Sequence, residues 1–461
     1  MRVCVIGTGY VGLVSGACLA DLGHEVRCVD LDPERVEQVN RGVPPIHEEG
    51  LAEILERQVG RRLTATTDLA AGFAGADLVL VCVGTPFDGR RIDLRAVLAA
   101  AEALGACLRE RSDYCVIAVK STVIPGTTMG AFRVALERTS GKRAGVDFGL
   151  GMNPEFLAEG VAVHDFRHPD RIVVGGIDSR SLDTLAALYQ PLGGVPIIRT
   201  SPTTAEMIKY ASNALLATLI SFSNEIGNLC EVTDDVDVAE VLRGVHAMKH
   251  LTYQEEGGQR RTVSAASFLW AGCGFGGSCF PKDVRALVAF GEEHGQPQQL
   301  LEAVVATNAA RPERLLRHLR AHVPNLTGLR VAVLGLAFKP GTDDVRESPA
   351  LPVVAALLSE GAVVTCHDPI AVDNFVTEFR RAGHDPAGIG FATDLAAAVA
   401  DAQAVLLITS WPGYDALPGL LAGRADTPLL VDGRRFIARD SVARYAGIGI
   451  RPTPAATGPA S

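Results

Sequence analysis

The sequence predicts an α/β protein in which two domains built on parallel sheets flank a helical segment. Over about residues 1–200, short apolar runs alternate with longer helical stretches, and this alternation is typical of a parallel sheet with helices on both faces. The alternation stops near Thr203 and restarts at Arg330. A length of 461 residues is about that of three domains. We therefore expect domains over 1–200, 201–320 and 321–445, followed by a disordered tail over 446–461.

The expected strands of the first domain are apolar runs of the length that buried strands have. They are Arg2–Ile6, Glu25–Asp30, Leu78–Val83, Tyr114–Val119, Phe148–Gly151 and Arg171–Val174. The segments Val11–Leu22 and Leu94–Leu108 are expected to be helices between these strands.

One long helix is expected over Thr203–Glu231. Its apolar residues, among them Leu215 and Phe222, recur close to the helical period, and Thr203 or Thr204 would cap its N-terminus. A mostly helical segment follows to about Arg320. It is interrupted by the polar stretch 249–262, which we expect to be a loop or an insertion.

The second α/β domain repeats the alternation of the first. Its expected elements are strands at Leu329–Gly335, Ala362–His367, Ala404–Ile408 and Pro428–Val431, and a helix at Pro349–Glu360.

Composition excludes several classes of protein. The net charge is 43 − 53 = −10, and an acidic chain is a poor candidate for nucleic-acid binding, which needs clustered cations. No apolar run has the length of a membrane span, and the N-terminus lacks a secretory pattern. The ten Cys form no CxxC pair and show no metal-ligand spacing. We therefore expect reduced, buried thiols, no bound metal and a cytoplasmic protein.

A glycine-rich turn follows the first expected strand. It reads Gly7-Thr8-Gly9-Tyr10-Val11-Gly12 and opens a helix, which is the context that a dinucleotide fingerprint requires. Such glycines let the backbone approach a pyrophosphate at a helix N-terminus. Asp30 ends the next strand at the spacing expected for a ribose-binding acid. A carboxylate there favours NAD over NADP, although Arg35 lies nearby.

A cysteine stands in a second glycine-rich segment, residues 274–283. Cys279 follows Gly276-Gly277-Ser278 and precedes Lys282 and Asp283. A cation and a helix N-terminus both favour the nucleophilic thiolate. The alternative is a small buried hydrophobic residue, which most single cysteines are.

Polar residues on two further segments are candidates for acid–base chemistry. Glu206, Lys209 and Asn213 share one face of the long helix, and Lys209 and Asn213 would stabilise an oxyanion if that face were buried. Periodicity alone favours a solvated polar stripe. In Asn153–Gly160, Glu155 or Glu159 would be a general base, or both would be exposed acids beside a turn.

The second α/β domain contains cations that would hold phosphates. Lys339 and Arg346 precede the helix expected at Pro349, and Arg434 follows the last expected strand. The alternative is a surface loop whose acidic residues balance these charges.

Taken in order, these motifs resemble those of the nucleotide-sugar dehydrogenases, the UDP-glucose/GDP-mannose dehydrogenase family. The resemblance covers about residues 1–440. The residues that carry it are Gly7–Gly12, Val83–Pro86, Ser121–Val123, Pro125–Thr127, Asn153–Gly160, Glu206 with Lys209 and Asn213, Gly274–Asp283, Gly335–Ser348 and Asp432–Arg434.

This resemblance implies two Rossmann-like domains, with NAD on the first and a UDP-sugar on the second, and a homodimer formed through the helical segment. It implies a four-electron oxidation in which the C6 primary alcohol of UDP-glucose becomes the carboxylate of UDP-glucuronate and two NAD+ are reduced. Cys279 matches the family nucleophile, which would hold the sugar as a thiohemiacetal and then as a thioester.

Further roles are implied by matching positions. Lys209 and Asn213 match residues that stabilise the oxyanion and orient the substrate. Asp283 matches a water-positioning or base residue, Glu155 matches an acid–base residue of the hydrolysis step, and Thr122 matches a residue that helps to order the hydrolytic water. The implied cofactor contacts are Gly7, Gly9, Val11, Gly12, Asp30, Arg35, Thr85, Thr122, Glu159, Lys282 and Arg346. The implied substrate contacts are Glu155, Phe156, Leu157, Lys209, Asn213, Phe268, Leu269, Gly272, Gly276, Lys339 and Arg434.

One segment departs from the family pattern. Most members carry Asp-x-Arg-Ile shortly before the motif at Phe268, whereas this chain has His246-Ala247-Met248-Lys249-His250 and a longer polar stretch. Lys249, Arg260 or Arg261 would have to replace the family arginine. TDP-glucose and GDP-mannose therefore remain alternative substrates. A single-step alcohol or hydroxyacid dehydrogenase and a non-catalytic nucleotide-binding module are the alternative functions.

Overall fold

The fold is that of a computed structural model, which describes residues 1–89, 91–255, 258–424 and 426–452. The chain forms two compact units. The first consists of residues 1–212 and 289–294, and the second of residues 213–288 and 295–461.

The first unit contains an eight-stranded sheet of order β3-β2-β1-β4-β5-β6-β7-β8, in which only the pairing of β6 with β7 is antiparallel. Its strands are β1 (Arg2–Ile6), β2 (Glu25–Val29), β3 (Leu63–Thr66), β4 (Leu78–Val81), β5 (Val116–Val119), β6 (Gly149–Met152), β7 (Ile172–Gly176) and β8 (Ile197–Thr200). The reversal of strand order at β1 creates the switch point at which α/β sheets bind ligands.

Helices connect these strands. They are α1 (Tyr10–Asp21), α2 (Pro33–Asn40), α3 (Leu51–Gln58), α4 (Leu69–Phe73), α5 (Arg95–Arg109), α6 (Arg133–Ser140), α7 (Ala162–Arg167) and α8 (Ser179–Leu188). A π-helical turn, Thr128–Phe132, precedes α6, and a 3-10 turn, Gln190–Leu192, follows α8. Asp32, Asp68 and Asp178 cap α2, α4 and α8 with side-chain hydrogen bonds.

Burial on both faces explains why the strands of this sheet are continuous apolar runs. Val3 and Val5 of β1 enter one hydrophobic cluster, whereas Cys4 and Ile6 enter another on the opposite face. A parallel sheet covered by helices on both sides needs this composition.

The middle of the chain is mainly helical. Its helices are α9 (Pro202–Cys230), α10 (Val238–His246), α11 (Phe280–Glu293), α12 (Gln299–Ala309) and α13 (Arg311–His322). Two 3-10 turns, Lys249–Leu251 and Ser264–Phe268, lie between α10 and α11. They flank an antiparallel hairpin of β9 (Thr252–Gln254) and β10 (Arg260–Thr262).

The second unit contains a six-stranded parallel sheet of order β13-β12-β11-β14-β15-β16. Its strands are β11 (Arg330–Leu334), β12 (Val363–His367), β13 (Ile389–Phe391), β14 (Ala404–Leu407), β15 (Leu429–Asp432) and β16 (Tyr445–Gly447). Its helices are α14 (Ala350–Ser359), α15 (Val372–Arg381), α16 (Leu395–Val399) and α17 (Leu417–Leu421), with 3-10 turns at Pro386–Gly388, Pro412–Ala416 and Arg439–Ser441.

The predicted α/β class with two parallel sheets and a helical middle is confirmed. Two expectations need correction. The stretch 249–262 is expected from the sequence to be a loop or an insertion, and the loop alternative is wrong because the stretch contains the β9–β10 hairpin. The predicted tail begins too early, because β16 runs to Gly447 and Ile448 is fully buried. The remainder of that tail, residues 453–461, lies outside the described residues.

Cysteines of both sheets are buried thiols, as the sequence predicts. Burial raises the pKa of Cys4 to about 12 and the pKa of Cys115 to about 11. Within the described residues, no helix is both long and apolar enough to cross a membrane. The same part of the chain contains no group of His, Cys, Asp and Glu side chains that could hold a metal ion.

Candidate active site

The glycines of the first turn have two different tasks. A Cβ at Gly7, where φ is +90°, would lie 2.9 Å from the carbonyl oxygen of Cys82, and a Cβ at Gly12 would lie 1.8 Å from that of Gly7. These two positions let α1 pack closely against the strands. At Gly9, by contrast, no atom of the described residues, apart from Gly9 itself and its chain neighbours, lies within 4 Å of the Cβ position. This open space at the N-terminus of α1 suits a pyrophosphate.

Asp30 lies directly beside this turn. Its Oδ2 accepts hydrogen bonds from the backbone N–H and the hydroxyl of Thr8, at 2.6 and 2.5 Å, and its Oδ1 accepts the N–H of Asp32 at 3.0 Å. Burial would raise the pKa of Asp30, but these hydrogen bonds outweigh it and lower the pKa. A charged carboxylate at this point binds ribose hydroxyls and repels a 2′-phosphate, so the residues present fit NAD. Arg35 lies near Asp30 and forms an ion pair with Asp32 at 3.7 Å.

The segments that follow β4 and β5 are joined at the same edge of the sheet. The hydroxyl of Thr85 donates to the carbonyl oxygen of Thr122 at 2.9 Å. The hydroxyl of Ser121 donates to the carbonyl oxygen of Val83 at 2.7 Å. Both predicted cofactor contacts, Thr85 and Thr122, therefore belong to one hydrogen-bonded loop pair at the carboxyl ends of parallel strands.

Glu155 and Lys209 form a buried ion pair in the first unit. The Nζ of Lys209 lies 2.9 Å from Oε1 of Glu155, and the two side chains are 4% and 6% exposed. Oε2 of Glu155 accepts the N–H of Leu157 at 2.6 Å. Burial would raise the pKa of Glu155, but Lys209 and the N–H of Leu157 outweigh it and lower the pKa. The guanidinium carbon of Arg171 lies over the ring of the neighbouring Phe156, 4.2 Å from the ring centroid.

The polar face of α9 is buried, so the solvated stripe that periodicity favours is wrong. Glu206, Lys209 and Asn213 are 0%, 3% and 6% exposed. Glu206 accepts the backbone N–H groups of Gly126 and Thr128 at 2.6 and 2.8 Å. Burial raises the pKa of Glu206, and these hydrogen bonds oppose the rise. Segments distant in the sequence thus bury this face of α9, although its polar residues are typical of a helix face that is exposed to solvent.

The second unit contains the thiol. Cys279 is half-buried and directly precedes α11, and its carbonyl oxygen accepts the N–H of Asp283 at 2.8 Å. The carboxylate of Asp283 is 1% exposed. It accepts from Nδ2 of Asn213 and from Nζ of Lys282, both at 2.6 Å. Side-chain hydrogen bonds therefore join three predicted residues, Asn213, Lys282 and Asp283, one helical turn after the predicted nucleophile Cys279.

The glycines before Cys279 serve close packing. A Cβ at Gly276 would lie 2.4 Å from the carbonyl oxygen of Glu347, and one at Gly277 would lie 2.8 Å from the Phe338 ring. Gly276, which the family resemblance implies as a substrate contact, therefore has a packing role as well. The N–H of Gly277 also donates to the carbonyl oxygen of Arg346 at 2.8 Å.

The predicted substrate contacts of the second unit surround the same loop. The guanidinium of Arg434 donates to the carbonyl oxygens of Ile408 and Gly274 at 2.6 and 3.0 Å. A Cβ at Gly272 would lie 3.3 Å from Nη1 of Arg434. Phe268 packs near Phe280 with ring centroids 6.2 Å apart, and Leu269 is buried.

The other predicted cations are more exposed. Lys339 is half-buried and lies 5.8 Å from the centroid of the Phe338 ring. Arg346 pairs with Asp344 through two parallel hydrogen bonds, at 2.9 and 2.7 Å. Arg260 and Arg261, candidates to replace the family arginine, bond within the hairpin to Thr252 and Glu255.

Three residues at these sites have no role in the sequence interpretation. Thr8 binds Asp30 with both its N–H and its hydroxyl. Glu48 is buried and accepts the N–H groups of Gly160 and Ala162, at 2.7 and 2.6 Å, in the segment that carries Glu159. Lys120 is buried directly after β5. A single charge that ends an apolar strand is a signal that would have indicated Lys120, whereas no local pattern indicates Glu48.

Fold and site together define an NAD-dependent dehydrogenase. Residues 1–193, 203–310 and 332–439 match the NAD binding, central and UDP binding domains of the UDP-glucose/GDP-mannose dehydrogenase family. The chain belongs to this family of oxidoreductases, and its cofactor is NAD.

Individual relatives match over nearly the whole chain. A UDP-glucose 6-dehydrogenase of Haloferax volcanii is 43% identical over 95% of this chain and 98% of its own length. One of Pseudomonas aeruginosa is 42% identical over 97% of both chains. The structure of a UDP-glucose dehydrogenase from Pyrobaculum islandicum has a TM-score of 0.86 and 36% identity, covering 97% of this chain and 98% of that one.

Proposed function

We propose that this protein is a UDP-glucose 6-dehydrogenase, which oxidises the C6 alcohol of UDP-glucose to the carboxylate of UDP-glucuronate. The observation that carries the proposal is the position of Cys279 at the N-terminus of α11, one helical turn before Asp283, whose carboxylate Asn213 and Lys282 hold. The relatives named for this activity support the choice of substrate.

The proposed division of labour follows the chain. Residues 1–200 bind NAD through the Gly7–Gly12 turn, Asp30 and the Thr85–Thr122 loop pair. Residues 201–320 supply α9 and the thiol. Residues 321–445 bind the UDP moiety, with Lys339 and Arg434 as cations for its phosphates.

The first oxidation removes the proton of the C6 hydroxyl group and a hydride from C6. Bound NAD supplies the chemistry of hydride acceptance in each of the two oxidations. Lys209 and Asn213, one turn apart on α9, stabilise the alkoxide from which the first hydride departs. Asp283 serves as the acid–base group for the proton.

The second oxidation requires a covalent hold on the aldehyde, because an unbound aldehyde would be hydrated and lost. The Cys279 thiolate adds to the carbonyl carbon and forms a thiohemiacetal, which loses hydride to become a thioester. Glu155 removes a proton from a water that Thr122 positions, and hydrolysis restores the thiolate. One alcohol, two NAD+ and one water thus yield one carboxylate, two NADH and three protons.

The decisive experiment measures NADH formed per sugar in a panel of UDP-, TDP- and GDP-sugars. We expect two NADH per UDP-glucose and a product heavier by one oxygen and lighter by two hydrogens. A ratio of one would favour the single-step dehydrogenase. GDP-mannose is the main rival substrate, because a GDP-mannose 6-dehydrogenase of Pseudomonas putida is 38% identical over 80% of this chain.

We also propose a cytoplasmic homodimer that associates through the second unit's part of α9. Leu215, Phe222 and Leu229, spaced by seven residues on one face, are 59%, 47% and 62% exposed, and Val232 is 71% exposed. Large apolar side chains in such a stripe are typical of an interface. Light scattering should give twice the mass of the 48.5 kDa chain for the wild-type protein. The Phe222→Glu variant should give the mass of a single chain.

A further inference from the structure

Lys120 is a buried lysine that the proposed reaction does not use. It directly follows β5 and is 3% exposed. Its Nζ donates to Oδ1 of Asn153 at 3.1 Å, to the hydroxyl of Tyr189 at 3.3 Å and to the carbonyl oxygen of Asn153 at 3.5 Å. All three acceptors are neutral. Burial of an ammonium among neutral acceptors is costly, so a nearby negative charge is needed to account for it.

The hydrogen bonds of Lys120 fix the start of the segment that carries Glu155. Asn153 follows β6, and its N–H donates to the carbonyl oxygen of Val119 at 2.9 Å. Its Nδ2 donates to the carbonyl oxygen of Val173 at 2.9 Å, and its Oδ1 also accepts the Tyr189 hydroxyl at 2.5 Å. Lys120 therefore completes a buried network two residues before Glu155.

The charges that face Glu155 come from several elements. Lys209 on α9 is in direct contact, and Lys120 after β5 also acts on the carboxylate and lowers its pKa, against the effect of burial. Cys82 after β4 lies close to both Glu155 and Lys120. Burial raises the pKa of Cys82 to about 12, so that its thiol is neutral at neutral pH. Two positive charges, those of Lys209 and Lys120, thus act on one buried carboxylate.

We propose that Lys120 is a positioning residue for Glu155, which holds the Asn153–Glu155 segment against β5 and supplies a second positive charge that keeps the carboxylate ionised. This inference rests on the proposed function, because it assumes that Glu155 is the base of the hydrolysis step. An ionised base accepts a proton from water, whereas a protonated one cannot.

The test compares the pH dependence of kcat among Lys120 variants. Lys120→Met and Lys120→Gln remove the charge, and Lys120→Arg retains it. Lys142→Met is the matched control, because Lys142 is in the same unit and bonds to the carbonyl oxygen of Arg111. The acidic limb of kcat should move upward by roughly half to one pH unit in the two neutral variants. It should stay in place in Lys120→Arg and Lys142→Met.

A second readout isolates hydrolysis. At pH values below the shifted acidic limb of kcat, the two neutral variants should release a burst of two NADH per active site. They should then turn over slowly, because the thioester accumulates. If Lys120→Met does not fold, Lys120→Gln carries the comparison, since its amide can still donate to Asn153.

The inference is overturned if both neutral variants keep the wild-type acidic limb, or if Lys120→Arg shifts as far as they do. The proposed function fails separately, if wild-type protein does not form two NADH per UDP-glucose. If wild-type protein forms two NADH per UDP-glucose and the neutral variants show no shift of the acidic limb, the proposed function is supported. Only the role of Lys120 is then rejected.

Discussion

The amide of Asn213 donates a 2.6 Å hydrogen bond to Oδ2 of the Asp283 carboxylate. Lys282 binds the other oxygen at 2.6 Å, and the Asp283 side chain is 1% exposed. Because Asp283 lies one helical turn after Cys279, Asn213 fixes the position of a buried carboxylate near the thiol. This contact connects α9 with α11 through polar side chains in a region from which water is largely excluded.

Replacement of Asn213 should slow the reaction more than it weakens substrate binding. In Asn213→Ala, one oxygen of Asp283 loses its donor inside the protein, which costs about 1–3 kcal/mol. We expect kcat to fall by roughly 10- to 100-fold, with a smaller rise in KM for UDP-glucose. Steady-state kinetics measures both, and Asn325→Ala, at an exposed asparagine, is the control. An unchanged kcat would remove Asn213 from the mechanism.

Loss of the thiol should abolish carboxylate formation. Cys279→Ala cannot form the thiohemiacetal, so we expect steady-state NADH production to fall by about 1000-fold or more. Cys107→Ala is the matched control, because Cys107 is also half-buried and belongs to α5. Full turnover of Cys279→Ala would instead support the single-step dehydrogenase.

The substitution of alanine for glycine should have different consequences at Gly12 and at Gly9, because the two glycines have different roles in the first turn. Gly12→Ala places a Cβ 1.8 Å from the carbonyl oxygen of Gly7 and should lower the free energy of unfolding by about 3 kcal/mol or more. Gly9 has φ of −69° and open space around its Cβ position. Gly9→Ala should therefore change stability by less than about 0.5 kcal/mol while it raises KM for NAD. Urea unfolding and cofactor titration test the pair, and equal destabilisation would contradict it.

Cofactor preference should depend on Asp30. Asp30→Asn keeps the shape of the side chain but removes the charge that binds ribose hydroxyls and repels a 2′-phosphate. We expect kcat/KM for NAD to fall by roughly 10-fold or more and the preference over NADP to shrink. Parallel assays with both cofactors measure this preference, with Glu34→Gln, at an exposed acid nearby, as control. If both variants lost the preference for NAD equally, the overall negative charge of this region, and not Asp30 in particular, would account for the preference.

Glu206 should leave a signature in the pH dependence of stability. Burial raises its pKa above the ordinary 4.5, so the folded state binds the proton more tightly than the unfolded state. The contribution of Glu206 to the free energy of unfolding is therefore largest at low pH, and it falls as the pH rises through the raised pKa. The total fall is about 1.4 kcal/mol for each unit by which the pKa is raised. Wild type should lose stability relative to Glu206→Gln as pH rises above about 4.5.

Urea unfolding between pH 4 and 8 measures this difference. Glu225→Gln is the control, because Glu225 is an exposed acid on the same helix, and its difference from wild type should not vary with pH in this way. A constant difference between wild type and Glu206→Gln would show that burial does not raise the pKa of Glu206.

Local pattern was sufficient for the elements and for the order of the motifs. The predicted strand at Arg2–Ile6 is observed with the same bounds, and the helix predicted over Thr203–Glu231 is observed over Pro202–Cys230. Side chains near each other in the sequence decide whether a segment forms a strand or a helix, and a sheet buried on both faces requires continuous apolar runs. The glycine turn and the segment around Cys279 were recognisable for the same reason.

Tertiary structure alone decided which polar groups are buried and charged. Periodicity places Glu206 on one face of α9, but its partners, Gly126 and Thr128, are about eighty positions earlier in the chain. Asn153 reaches Lys120 across 33 positions. The cost of burying a charge depends on the donors and counter-charges that folding brings around it. These partners come from distant segments, so no local pattern can contain them.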